Sequence, residues 1–220
     1  MHKGNKKIGV AIAGLGTVGV GVIKILEEHK ALLADRSGVT LEIVAVSARE
    51  RAKKRGVNLT NYSWCDNAVD MASLDTVGVV VELIGGSDGP AYALAKETLK
   101  RGKHFITANK ALIATHGTEL ALLAEENGGI LRFEAAVAGG IPIIKVLSEG
   151  LVANRVSGLY GILNGTCNYI LTRMEREGLN FDVILKDAQE IGYAEADPTF
   201  DIDGIDTAHK TVILAAIAFG

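Results

Sequence analysis

Lysines and carboxylates spaced for proton transfer stand at two places in this chain. Asp206 and Lys210 lie one helical turn apart, just ahead of the apolar run Val212 to Phe219. At about 100° per residue they share a face with Ile213, Leu214 and Ile217, so the pair begins a stripe that continues as core. An apolar run without polar positions predicts a helix buried all round. A buried or half-buried charge at the head of such a stripe needs a partner or a job, and acid and base work is the job a lysine there could do. Glu195, Asp197, Asp201 and Asp203 precede the pair in a loop broken by Pro198 and Gly204. The second place is Lys110, directly after the strand-like His104 to Thr107, at the kind of strand end where open α/β sheets place ligands. A surface lysine at a helix start is the competing reading. A third chemistry is open to Cys167, between Thr166 and Asn168, as a thiol nucleophile with His209 as its base.

Near the N-terminus, the apolar run Ile8 to Ala13 meets Gly14-Leu15-Gly16-Thr17-Val18-Gly19 and then a helical pattern. A G-x-G-x-x-G turn between strand and helix lets the backbone approach a pyrophosphate at the helix N-terminus, although a tight turn without ligand has the same residues. The second strand ends in Ser47-Ala48-Arg49 and runs on into Arg51, Lys53, Lys54 and Arg55, where an NAD-preferring fold would carry an acid for the ribose hydroxyls. Arg49 is therefore the candidate for the 2′-phosphate of NADP, with NAD as the alternative cofactor. Gly85 and Gly86, closing another strand, can border the same ligand. Glu82 inside that strand is a buried carboxylate whose partners the sequence does not name.

The elements that must position these groups follow from periodicity. Strands are predicted at Ile8–Ala13, Leu41–Ser47, Val77–Ile84, His104–Thr107 and Ile130–Glu134, with Tyr62–Trp64 a short one. Helices are predicted from the glycine turn through about Leu33, at Ala68–Ala72, from Pro90 to near Gly102, and from Lys110 through Glu126. After Ala138-Gly139-Gly140-Ile141-Pro142, alternating apolar residues over Val156–Leu163 predict a strand, and Asn164 to Asn168 a polar turn. Helices over Tyr169–Glu177 and Phe181–Glu190 follow. The fold class is α/β: a Rossmann-type, doubly wound parallel sheet over residues 1–138, then an α+β substrate and dimerisation domain over 139–220.

With 220 residues, 48% of them apolar, the chain buries a sizeable core. A net charge of −3 argues against a general nucleic-acid or membrane binder. No stretch reaches the roughly 18 apolar residues of a membrane span. Met1 to Lys7 leads into a strand rather than a secretory core, so a cytoplasmic protein is expected. Cys65 and Cys167 lack metal-type spacing.

Together, Gly14 to Gly19, Thr107-Ala108-Asn109-Lys110, Asn164 to Ile170, Gly192 to Pro198 and Asp201 through Lys210 resemble homoserine dehydrogenase, in order along the whole chain. The resemblance implies hydride transfer between L-homoserine and L-aspartate 4-semialdehyde on a bound NAD(P), in amino-acid biosynthesis leading to threonine and methionine. It implies that Lys110 and Lys210 are the active-site lysines. Glu195, Asp201 and Asp206 are implied as substrate-site carboxylates, with Gly192, Tyr193 and Thr166 beside them. It further implies a structural sodium ion on Glu134 and the carbonyls of Val137, Gly139 and Ile141, and a homodimer. Family catalytic regions run well past this length, so the resemblance also implies a fragment. Two rivals are an aldehyde dehydrogenase of the aspartate-semialdehyde type, acting through Cys167, and a redox-sensing NADP-binding module without catalysis.

Overall fold

The computed structural model describes residues 6–220, and the chain divides into two compact units, one ending at Gly139 and one running Gly140–Gly220. The first is built on β1 (Lys6–Ala13), β2 (Val39–Ser47), β3 (Ser63–Trp64), β4 (Val79–Glu82), β5 (His104–Thr107) and β6 (Leu131–Arg132). All pairings are parallel and the order is β3-β2-β1-β4-β5-β6. Parallel strands need crossovers. These are supplied by α1 (Thr17–Glu28), α2 (Lys30–Ser37), α3 (Pro90–Lys100) and α4 (Lys110–Asn127), with a 3-10 helix over Ala68–Ser73. From β1 the sheet grows one way through β2 and β3 and the other way through β4 to β6. That reversal opens a crevice at the carboxyl ends of the strands.

The core explains the apolar runs. Val10, Ile12, Leu15, Ile23, Val46 and Val79 form one buried cluster. On α3 the buried residues Ala91, Leu94, Ala95, Thr98 and Leu99 recur at helical spacing. Three expectations are corrected here. The helix after the glycine turn is not continuous to Leu33: it stops at Glu28 and restarts at Lys30, because α2 buries no residue that would hold it in line with α1. The strand at Val77–Ile84 shortens to Val79–Glu82, since Ile84 and Gly85 turn their N–H groups onto the Glu82 side chain. The last strand is only Leu131–Arg132, and Glu134 opens a 3-10 turn that runs to Ala136.

In the second unit α5 (Ile143–Lys145) leads into a π-helical turn over Val146–Gly150, and then come α6 (Gly165–Glu177), α7 (Phe181–Glu190), α8 (Thr199–Ile202) and α9 (Ile205–Phe219). Ile170, Ile184, Ala188 and Ala194 are its core. Arg173 on α6 ties that helix to α7 by donating to Asp187 at 2.9 Å, and within its own helix it donates to Tyr169 Oη at 3.0 Å.

Three further corrections fall in this unit. Val156–Leu163 forms no strand, because the unit has no other strand among the described residues to complete a hydrogen-bond ladder. Helix α6 begins at Gly165 rather than Tyr169, since the Asn164 side chain caps it by accepting from Cys167 N at 2.8 Å. Finally, α9 is not buried all round: Ile213 and Leu214 are buried, but Val212 is 50% and Phe219 54% exposed. Only one of its faces has packing partners within the unit. No helix among the described residues is long and apolar enough to cross a membrane.

Candidate functional site

The glycine turn is stitched to both neighbouring strands. Gly14 N donates to Ser47 O at 2.9 Å, and Leu83 N donates to Ala13 O at 2.7 Å. Gly14 sits at φ +100°, and a Cβ there would lie 2.3 Å from the Leu83 carbonyl oxygen, so both conformation and space demand glycine. At Gly19 the demand is packing alone, for a Cβ would meet Gly14 O at 2.0 Å. A Cβ at Gly16 would meet nothing within 4 Å. That open position caps α1, whose first turn carries Thr17 and Val18, and its surroundings suit an approaching pyrophosphate.

A crevice of about 740 Å³ opens here, lined by Gly14, Gly16, Arg49, Gly85 and Gly86 among others. Its size is that of a cofactor cleft. Arg49 is exposed on its wall, with Lys53 and Arg55 beside it. Arg55 was legible only as one more charge in a basic run. It donates to Leu15 O at 3.2 Å and to Glu50 O at 2.5 Å, and its guanidinium lies 5.8 Å from the Trp64 ring centroid, which fixes the basic loop to the glycine turn. Glu50 shares the wall, and the sequence reading did not weigh it. Lys110 is half-buried at the first residue of α4, outside the residues that line the crevice, and Asn109 caps that helix by accepting from Leu112 N at 3.1 Å.

In the second unit the pairing expected of Asp206 and Lys210 is present, with Nζ 2.7 Å from Oδ2. Lys210 also donates to Leu163 O at 2.7 Å. Asp206 is only 4% exposed, and its second partner is Asn164, whose amide donates to Asp206 Oδ2 at 2.9 Å and to Asp201 Oδ1 at 2.8 Å. Asn164 is thus the hub of the cluster. Sequence reasoning placed it in a turn, and its motif was the available signal. The Thr166 hydroxyl lies 3.0 Å from both Asp201 Oδ2 and Tyr193 O. The cluster thus brings two carboxylates and one ammonium together around a single amide. Of the other candidates, Tyr193 stacks on Tyr169 with centroids 4.9 Å apart, while Gly192 ends α7 in a left-handed turn and Glu195 is exposed.

Cys167 is held by its Sγ to Asp201 O at 3.2 Å, and burial, then Asp201 and Asp206, push its thiol above the ordinary range. That is the opposite of what a nucleophilic thiolate needs. We expect Cys167→Ser to keep turnover within about threefold and the parental thiol to alkylate slowly at neutral pH, since only the thiolate reacts. A loss of several orders of magnitude in a folded variant would restore the thiol mechanism.

The residues implied for sodium are dispersed along one short segment. Glu134 opens the 3-10 turn, Val137 is buried and extended, Ala138 stands at φ +50°, and Gly139 and Ile141 are exposed. No group of three acidic, histidine or cysteine side chains able to hold a metal occurs among the described residues. One carboxylate with carbonyl oxygens is a hard donor set, and it fits an alkali cation better than a transition metal.

Comparison with known proteins agrees with both halves. Residues 14–134 match the family model described as "Homoserine dehydrogenase, NAD binding domain", and residues 142–220 match the one described as "Homoserine dehydrogenase". Homoserine dehydrogenase of Pseudomonas aeruginosa is 49% identical over 98% of this chain, and that of Bacillus subtilis 44% over 97%. The crystal structure of a homoserine dehydrogenase from Thiobacillus denitrificans superimposes with a TM-score of 0.89 at 47% identity, covering 98% of this chain and 49% of that one. A hyperthermophilic archaeal homoserine dehydrogenase in complex with NADPH superimposes at 0.84 with 28% identity, over 97% of this chain and 70% of that one. The chain spans about half the length of the curated relatives it matches, 49% for both the Pseudomonas and the Bacillus proteins. With a nicotinamide-dinucleotide fold in its first unit and this acid–lysine cluster in its second, the chain belongs to the homoserine dehydrogenase family.

Proposed function

We propose that the whole protein interconverts L-homoserine and L-aspartate 4-semialdehyde, with NADP preferred and NAD as the alternative. The observation that carries this reading is the Asp206–Lys210 pair held against Asn164 and the Leu163 carbonyl, a lysine anchored by two acceptors. When bound, the nicotinamide supplies the hydride acceptor. Gly14, Gly16, Gly19 and the first turn of α1 hold the pyrophosphate, and Arg49 the 2′-phosphate. In the oxidising direction Lys210 takes the substrate hydroxyl proton, and in the reverse it returns a proton to the aldehyde oxygen. Lys110 orients the substrate and stabilises charge. Glu195, Asp201 and Asp206 receive the ammonium of the amino acid, with Thr166, Gly192 and Tyr193 completing the substrate wall.

Sodium on Glu134 and the carbonyls of Val137, Gly139 and Ile141 belongs to the same reading, as do a homodimer and a cytoplasmic setting. Exposed side chains in the second unit, Tyr160 at 98% and Ile162 at 75%, leave a surface that a second copy or the rest of the whole protein would cover. The test is direct. Full-length protein with homoserine should reduce NADP⁺, and the absence of any homoserine-dependent reduction would return the chain to a dinucleotide-binding module.

A further inference from the structure

Glu82 is fully buried in the sheet, and among the described residues no cation is one of its hydrogen-bond partners. Its Oε1 accepts from Ile84 N at 2.6 Å and Gly85 N at 3.0 Å. Its Oε2 accepts from the Thr107 hydroxyl at 2.6 Å. Thr107 Oγ1 in turn accepts from Asn109 N at 2.8 Å, and Asn109 Nδ2 donates to Gly86 O at 2.7 Å. The circuit closes. Starting from one carboxylate it binds the turn after β4, which lines the cofactor crevice, to the turn after β5, which delivers Lys110. We infer that Glu82 is a positioning residue that fixes the Lys110 turn against the cofactor loop, so that hydride transfer depends on it although it touches neither substrate nor cofactor. This rests on the proposed function for the role of Lys110.

The circuit has a direction. Thr107 donates to Glu82 and accepts from Asn109, so the group at position 82 must accept at both of its ends. A burial-matched amide cannot do that. In Glu82→Gln the amide oxygen can keep Ile84 N and Gly85 N, but the amide nitrogen presents hydrogens to Thr107 and leaves its hydroxyl hydrogen without an acceptor. Glu82→Gln therefore loosens the Lys110 arm while sparing the cofactor arm. Thr107→Val, of similar shape, removes the same link from the other side. Thr107→Ser restores the hydroxyl.

The experiment compares these three variants with the parent in the full-length protein, by NADPH titration, single-turnover rate with homoserine, and hydrogen exchange of peptides covering residues 107–112 and 14–19. Glu82→Gln and Thr107→Val should slow hydride transfer by roughly tenfold to a hundredfold while the NADPH dissociation constant moves less than about threefold. Exchange should quicken in 107–112 and not in 14–19, and Thr107→Ser should recover both rate and protection. Unchanged rate and exchange in the first two variants would overturn the inference. So would loss of NADPH binding in parallel with rate, which would make Glu82 a determinant of the whole domain. If the parent shows no homoserine turnover, the proposed function fails, and the exchange data alone decide whether Glu82 fixes the 107–112 turn.

Discussion

Lys210→Met in the full-length protein is expected to bind NADP as the parent does and to lose hydride transfer by a factor of about 10² to 10⁴, the usual weight of a general acid–base residue. Methionine keeps an apolar stem of similar reach and removes the ammonium. The loss separates from binding because the dinucleotide cradle, Gly14, Gly16 and Gly19, lies in the first unit, whereas Lys210 lies on α9. Removing the ammonium also takes the Lys210 ion pair from Asp206, which is only 4% exposed, so the variant loses stability as well as chemistry. Lys210→Arg keeps the charge and can restore the pair, yet a guanidinium does not deprotonate in the working range. It should therefore recover stability and not rate. A Lys210→Met enzyme turning over at nearly the parental rate, with the parental pH profile, would pass the proton-transfer role to Lys110 or to a bound water.

Arg49→Glu is expected to weaken NADP binding by about a hundredfold or more while NAD affinity stays within about threefold. A charge-assisted contact to phosphate is worth roughly 1.5–3 kcal/mol, and the variant adds repulsion of like charges. Arg49 stands exposed on the crevice wall two residues beyond the end of β2. Arg55 is unsuited to the same substitution, since it braces Leu15 and Glu50 and its loss would disturb the wall itself. Titrating both dinucleotides against Arg49→Glu checks this. Equal weakening of the two, or of neither, would remove Arg49 from the 2′-phosphate site and turn attention to Glu50 as a ribose ligand.

Much of the first unit was legible because parallel strands covered on both faces read as plain apolar runs, and because glycine and proline mark where those runs stop. His104–Thr107 and the helix starting at Lys110 fall where periodicity puts them. The alternating residues Val156–Leu163 misled for a physical reason: alternation reports which face a strand would bury, and says nothing of whether a partner strand is there to accept its hydrogen bonds. The apolar run Val212–Phe219 likewise reports what the helix can bury, not what lies against it within one unit. At the site, Asp206 and Lys210 were visible as an i,i+4 pair. Asn164, more than thirty residues upstream of both, could be joined to Asp201 and Asp206 only in three dimensions. The partners of Glu82 were hidden for the same reason, since Thr107 reaches it from the neighbouring strand.

The strand order has a consequence for the nascent chain. On its way off the ribosome, β1 can pair with β2 early, but its other edge must wait for β4, which begins only at Val79. At about 5–20 residues per second that interval lasts several seconds, during which Val10, Ala11 and Ile12 present an apolar strand with one row of unpaired amides. Synthesis itself therefore exposes an apolar strand edge that the finished sheet covers. Anything that stalls translation before β4 has emerged prolongs that exposure, and it ends only when β4 is free to pair with β1.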